Sequence, residues 1–263
     1  GMSDTINVEE LTNAGREALQ RLILSLADSK RLMGIRYSDW VLGAPSVETG
    51  IATSSMTQDE WGHARLLYAM LKHLSIDPVP IEHDRSAEAY ANLSVLDEPF
   101  DDWVALVAAI VIVDGALSAA LRAFSSGAFE PARSRVHKML AEEKFHVSLG
   151  VAWYGRLATA SDEARSLLRA ATDRQLPATL AWLGIDDTAS RELVEIGVMP
   201  PAATLTTAFK DSVRDVLADG GVDVDAVEPA SDWDAARGRA PGQPDADSVD
   251  RARGSRNREL FVE

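Results

Sequence analysis

The sequence predicts an all-α fold, and three observations carry that reading. Leu and Ala dominate an apolar content of 46%. Glycine and proline gather between long periodic stretches instead of punctuating the chain evenly, and alternating apolar–polar runs of the strand type are scarce. A chain of 263 residues with this composition can bury a substantial core. The same composition excludes several function classes. A formal charge of -15 argues against nucleic acid or an anionic membrane as a partner, since both demand a basic footprint. There is no cysteine, so any metal must be held by carboxylate and imidazole. The start lacks a basic segment followed by an apolar run, so no secretory leader is expected and the location follows as cytoplasmic.

A first helix is expected from about Val8 to Trp40, with an apolar stripe through Leu19, Leu22, Ile23, Leu26, Met33 and Tyr37, and with Lys30 on the same stripe. A second begins after Pro45 with Ser46 as N-cap and runs to about Leu74; Glu60 and His63 share its apolar side with Met56, Leu67 and Met70. Residues 75–99 read as a surface connection. The segment from Phe100 to Phe124 is the most apolar of the chain, and VALVAAIVIVDGALSAAL contains a single ionisable residue, Asp114. A charge in the second half of that run, small residues and polar flanks favour a central bundle helix over a membrane span. A fourth helix starts near Pro131 and runs to about Ala158, with Val136, Leu140, Glu143, Val147, Gly150 and Tyr154 along one side. Shorter helices are expected over 161–183, 187–196 and 201–218. These give a bundle domain over 8–219. Residues 220–263, rich in Asp, Gly, Pro and Arg, are expected to form a mobile acidic tail or to lie over a partner.

The chemistry sits in a repeated spacing. QDEWGH and AEEKFH each place a glutamate three residues before a histidine, so Glu60 with His63, and Glu143 with His146, aim one carboxylate and one imidazole from one helix face. Either pair alone would be ordinary on a solvated helix face. Four-helix bundles with di-iron or di-manganese carboxylate centres combine two such helices with one carboxylate from each of two others. Asp114 stands one helix-and-turn before Glu143, where that plan needs a carboxylate, isolated in apolar surroundings that make an unpaired charge costly. The first helix breaks the plan, since the corresponding position holds Lys30. Asp28 is near in sequence, but two residues of helix turn it away from Lys30. The Lys30 ammonium is expected to take part of the vacated cation site and to pair with Glu60 or Glu143, leaving one metal or none.

The stretches from Trp40 through QDEWGHARLLYAML, then VDGALSAA, then LAEEKFHVSLG resemble the A and C subunits of the phenylacetyl-CoA epoxidase of phenylacetate degradation, over roughly residues 15–220. The resemblance implies a ferritin-like four-helix bundle with extra C-terminal helices. It implies metal ligands at Glu60, His63, Asp114, Glu143 and His146, with Glu60 and Glu143 as the catalytic carboxylates and Lys30 where the family has its first glutamate. The implied cofactor is iron, two per site in the family. The implied activity is a multicomponent oxygenase that inserts an oxygen atom into the ring of an aromatic acyl-CoA. Its implied partners are a homologous ferritin-like subunit and a separate reductase. Chain length and the RYSDW and TLTTAFKDSVRDVL segments are closer to the non-catalytic C subunit. Two other readings therefore stand beside the oxygenase: a scaffold paired with a ligand-complete paralogue, and a ferritin-like metal-binding protein of other function.

Overall fold

The computed structural model of the protein describes residues 5–255, and no strand is found among them. In chain order, a 3-10 turn Val8–Glu10 precedes α1 (Asn13–Asp39) and α2 (Val47–Ala69). α2 tightens into a 3-10 end, Met70–Leu74, and is followed by α3 (Pro78–His83). The apolar helix comes in three parts: α4 (Trp103–Ala109), a π-helical segment Ile110–Asp114, and α5 (Gly115–Ser125). Then come α6 (Glu130–Ala158), α7 (Asp162–Leu183), α8 (Thr188–Glu195), α9 (Ala202–Asp219) and α10 (Ala246–Arg253). The boundaries follow local chemistry. Ser46 caps α2 by accepting from the Thr49 N–H, and Asp102 and Ser161 cap α4 and α7 in the same way. Asp187 and Ser190 close a reciprocal capping box on α8.

The chain divides into two compact units, residues 5–18 with 100–231 and residues 19–99 with 232–255. In the first, α5 packs on α6 and α9, and α4 packs on α6 and α7. The run from Trp103 to Ser125 is long and apolar enough to cross a membrane, yet 89% of its most apolar window is buried inside the protein. It is the core helix expected from its small residues and its charge. Val147, expected on the inward side of α6, is instead 46% exposed, and the inward row is Val136, Met139, Glu143, His146, Gly150 and Tyr154. Both rows run in steps of three and four, and the fold buries Met139 and His146 where Leu140 and Val147 were expected.

Two expectations about the connecting and C-terminal segments are corrected by the fold. Residues 75–99 are more than a surface connection, because they hold α3 and bury Tyr90, Asn92, Leu93 and Leu96. The expected tail is also folded. Residues 220–231 belong to the first unit, where Val222 and Val224 are buried. Residues 232–255 fold back within the second unit through polar contacts. Arg239 is 1% exposed and donates to Asn92 Oδ1 at 3.0 Å and to Asp97 Oδ1 at 3.1 Å. Arg251 donates to Asp39 and to Ser38, and the buried Arg36 donates to the Leu96 carbonyl. Low apolar content suggested mobility, but a charge-assisted hydrogen bond holds a polar segment without a large apolar area. The start of the chain, where no leader is expected, and residues 256–263 of the expected tail lie partly or wholly outside the described residues.

Candidate metal centre

Three of the expected ligands meet within the first unit. Asp114 closes the π-helical segment, whose preceding residues Ile110, Val111, Ile112 and Val113 are β-branched throughout. Such side chains crowd a regular helix, and a π turn is a recurrent device at functional sites. Facing it, Gly150 of α6 allows close approach, since a Cβ there would lie 2.5 Å from Ile110 Cγ2. One turn before Gly150, His146 Nδ1 lies 2.9 Å from Asp114 Oδ2 and 3.5 Å from Glu143 Oε1. Ser118 Oγ donates to Glu143 Oε2 at 3.1 Å. Asp114, Glu143 and His146 are 1, 2 and 0% exposed, and each offers a ligand atom within 4.8 Å of the others. Two carboxylates and an imidazole, shielded from water and converging, form a donor set that can hold a divalent transition ion.

The other helix pair is described within the second unit. Gly34 of α1 lies against α2, where a Cβ would meet Trp61 Cδ1 at 2.7 Å and Glu60 Cβ at 3.2 Å. That closeness seats Lys30 against Glu60, with Nζ 3.0 Å from Oε1 and 3.0 Å from Oε2. Both side chains are 0% exposed, and His63 on the same side of α2 is 1% exposed. Lys30 thus pairs with Glu60 of the two expected acids.

Asp28 faces elsewhere. It accepts two bonds from Arg85, at 2.6 and 3.0 Å, one from the Ala91 N–H at 2.9 Å, and one from the Tyr68 hydroxyl. Burial, and next the Asp28 charge, push the Tyr68 pKa well above its ordinary value. Burial works against the Arg85 cation, but Asp28 more than offsets it and raises the Arg85 pKa. Burial likewise pushes Tyr90, stacked under the Arg85 guanidinium, up to about 12.

Sequence reasoning missed Ser118, although its position four residues after Asp114 in VDGALSAA puts both on one helix face. It also missed the partners of Asp28, because Arg85 lies far along the chain and no local spacing links them. Of the remaining histidines, His73 and His137 are exposed, whereas His83 is half-buried with Nδ1 2.8 Å from the Arg253 carbonyl.

No curated protein matches the chain. A family profile does, over residues 2–240, and its description is phenylacetic acid catabolic protein. The matched range takes in Lys30, Glu60, His63, Asp114, Glu143 and His146. The chain is a member of the phenylacetic acid catabolic protein family.

Proposed function

We propose that the chain is a subunit of a multicomponent oxygenase of the phenylacetyl-CoA epoxidase type, with a metal site that Lys30 has altered. The observation that carries this reading is the buried Asp114, Glu143 and His146 set within the first unit. Family membership adds phenylacetate catabolism and a complex of several subunits. Asp114, Glu143 and His146 are the ligands that the first unit offers. Iron held by these residues would supply dioxygen activation, for insertion of one oxygen atom into the ring of an aromatic CoA thioester, with electrons from a separate reductase.

The protein's own groups have definable tasks. Glu143 offers one oxygen as a ligand while Ser118 holds the other in orientation. Asp114 fixes the ring of His146 through Nδ1. The apolar residues on either side of Asp114 keep water from the site. Lys30 brings one positive charge to Glu60, a charge that a metal would otherwise provide.

The Lys30–Glu60 pair specifically favours a second reading, a non-catalytic scaffold that pairs with a ligand-complete homologue. Metal analysis of the purified protein separates the two. One iron or manganese per chain, rising to two in Lys30→Glu, supports the altered oxygenase site. No metal in either form supports the scaffold. Two equivalents in the wild type would show that Lys30 does not displace a metal.

A further inference from the structure

Helix α7 carries none of the expected ligands, yet its inner face is partly polar. Thr172, Gln175 and Thr179 are all buried there, at helical steps of three and four. Two of them reach the helices that hold the ligand set. Gln175 Nε2 donates to the Ala105 carbonyl of α4 at 2.9 Å, just over one turn before the π-helical segment that ends in Asp114. The Tyr154 hydroxyl of α6 lies 2.7 Å from Thr172 Oγ1, and Tyr154 follows Gly150 by one turn and His146 by two. Thr172 gives its own proton to the Leu168 carbonyl at 2.8 Å, so Tyr154 is the donor. Gly220 leaves room for this ring, since a Cβ there would lie 2.9 Å from its hydroxyl.

Stability does not account for Gln175. Its Oε1 is buried without a hydrogen-bond partner among the described residues. Burying an amide with one end unpaired costs more than one net hydrogen bond returns, and a leucine of similar size would carry no such cost. What the amide supplies and leucine does not is direction. Apolar helix faces repack against each other at small cost, whereas a buried hydrogen bond specifies one register.

We propose that α7 is a polar clamp, in which Gln175 on α4 and Thr172 on Tyr154 of α6 are positioning residues that hold Asp114 against His146. The inference rests on the metal-site reading above. Asp114 and His146 stand on separate helices, and their 2.9 Å contact requires those helices to keep one register. Gly150 lets α6 close on Ile110, and the clamp sets where along one another the two helices stop. The irregular turn lies between Ala105 and Asp114, so a bond at Ala105 fixes the regular helix from which that turn departs.

The test titrates the full chain anaerobically with ferrous ion and reads affinity by competition with a chelator. In the metal-free protein it reads thermal melting and the hydrogen exchange of the amides of residues 110–115. Gln175→Leu is expected to melt no lower than the wild type, to bind ferrous ion about tenfold more weakly, and to exchange those amides at least about tenfold faster. Thr172→Val should weaken binding in the same way, while Thr172→Ser should keep the wild-type affinity because serine retains the acceptor. Thr179 is the control on the same face. Its Oγ1 is buried with no partner among the described residues, so Thr179→Val should leave affinity and exchange unchanged.

Lower melting of Gln175→Leu with unchanged affinity and exchange would make its bond an ordinary packing contact and overturn the clamp. An equal loss of affinity in Thr179→Val would overturn it too, since any change on this face would then have the same effect. If Gln175→Leu loses both stability and affinity, Thr172→Val against Thr172→Ser decides: a difference in affinity supports the clamp, and none overturns it. A wild-type chain that binds no ferrous ion overturns the metal-site reading instead. The exchange of residues 110–115 then decides the clamp by itself, faster in Gln175→Leu supporting it and unchanged overturning it.

Discussion

Lys30 and Glu60 form a fully buried ion pair, and at the residue scale this contact is the most consequential departure from a complete ligand set. Removing one partner of such a pair strands the other charge, which costs about 3–5 kcal/mol. Lys30→Met is therefore expected to lower stability by that amount in urea denaturation. Lys30→Glu should be comparably unstable without metal and recover when ferrous or manganous ion is added, because the added cation replaces the ammonium. The tyrosines of the Asp28 cluster give a second prediction. Tyr90 is pushed up to about 12, and Tyr68 is raised as well, by burial. A raised pKa means that the folded state holds its proton where the unfolded chain has released it. The stabilisation is then complete below about pH 10, the ordinary tyrosine value, and is lost as pH rises through the folded pKa. Denaturation at pH 9 and 11.5 should show this fall, and Tyr90→Phe should remove on the order of 2 kcal/mol of it.

The π-helical segment and its neighbour α6 matter most at the scale of elements. Asp114 reaches His146 because Gly150 lets α6 approach Ile110. Gly150→Ala should destabilise by about 1–3 kcal/mol through overpacking, and it should also weaken iron binding by moving His146 from Asp114. Ile110→Ala in the same chain should restore part of both losses, and a double-mutant cycle would measure that coupling. The long helices and the start of α2 and α6 were legible in the sequence because they depend on local spacing: Ser46, Pro131 and the Glu-x-x-His motifs all sit where the pattern placed them, whereas α1 begins at Asn13 and not at Val8, and α3 and α10 had no such signal. The π turn was not legible, since an apolar run without polar punctuation has no period to betray a change of pitch.

For the whole molecule, the folding of the C-terminal segment is the main departure from expectation. Arg239 is buried against Asn92 and Asp97, and Arg251 bonds Asp39 of α1. Arg239→Met should cost about 3 kcal/mol by leaving Asp97 without its cation, with only Asn92 among the described residues still donating to it. In hydrogen exchange, the amides of α10 should be protected in the wild type and exchange at least about tenfold faster in the variant, as expected of a locally loosened segment. A mobile tail would show no protection in either protein.

The sequence by itself determined the all-helical class, the core helix around Asp114, and the two Glu-x-x-His faces. Each follows from periodicity and residue type within one element. Only the tertiary structure decided that Lys30 bonds Glu60, that Asp28 is taken up by Arg85, and that residues 232–255 fold back within the second unit. These are pairings between charged groups far apart in the chain, and composition treats such groups as solvated until the fold brings the opposite charge within bonding distance.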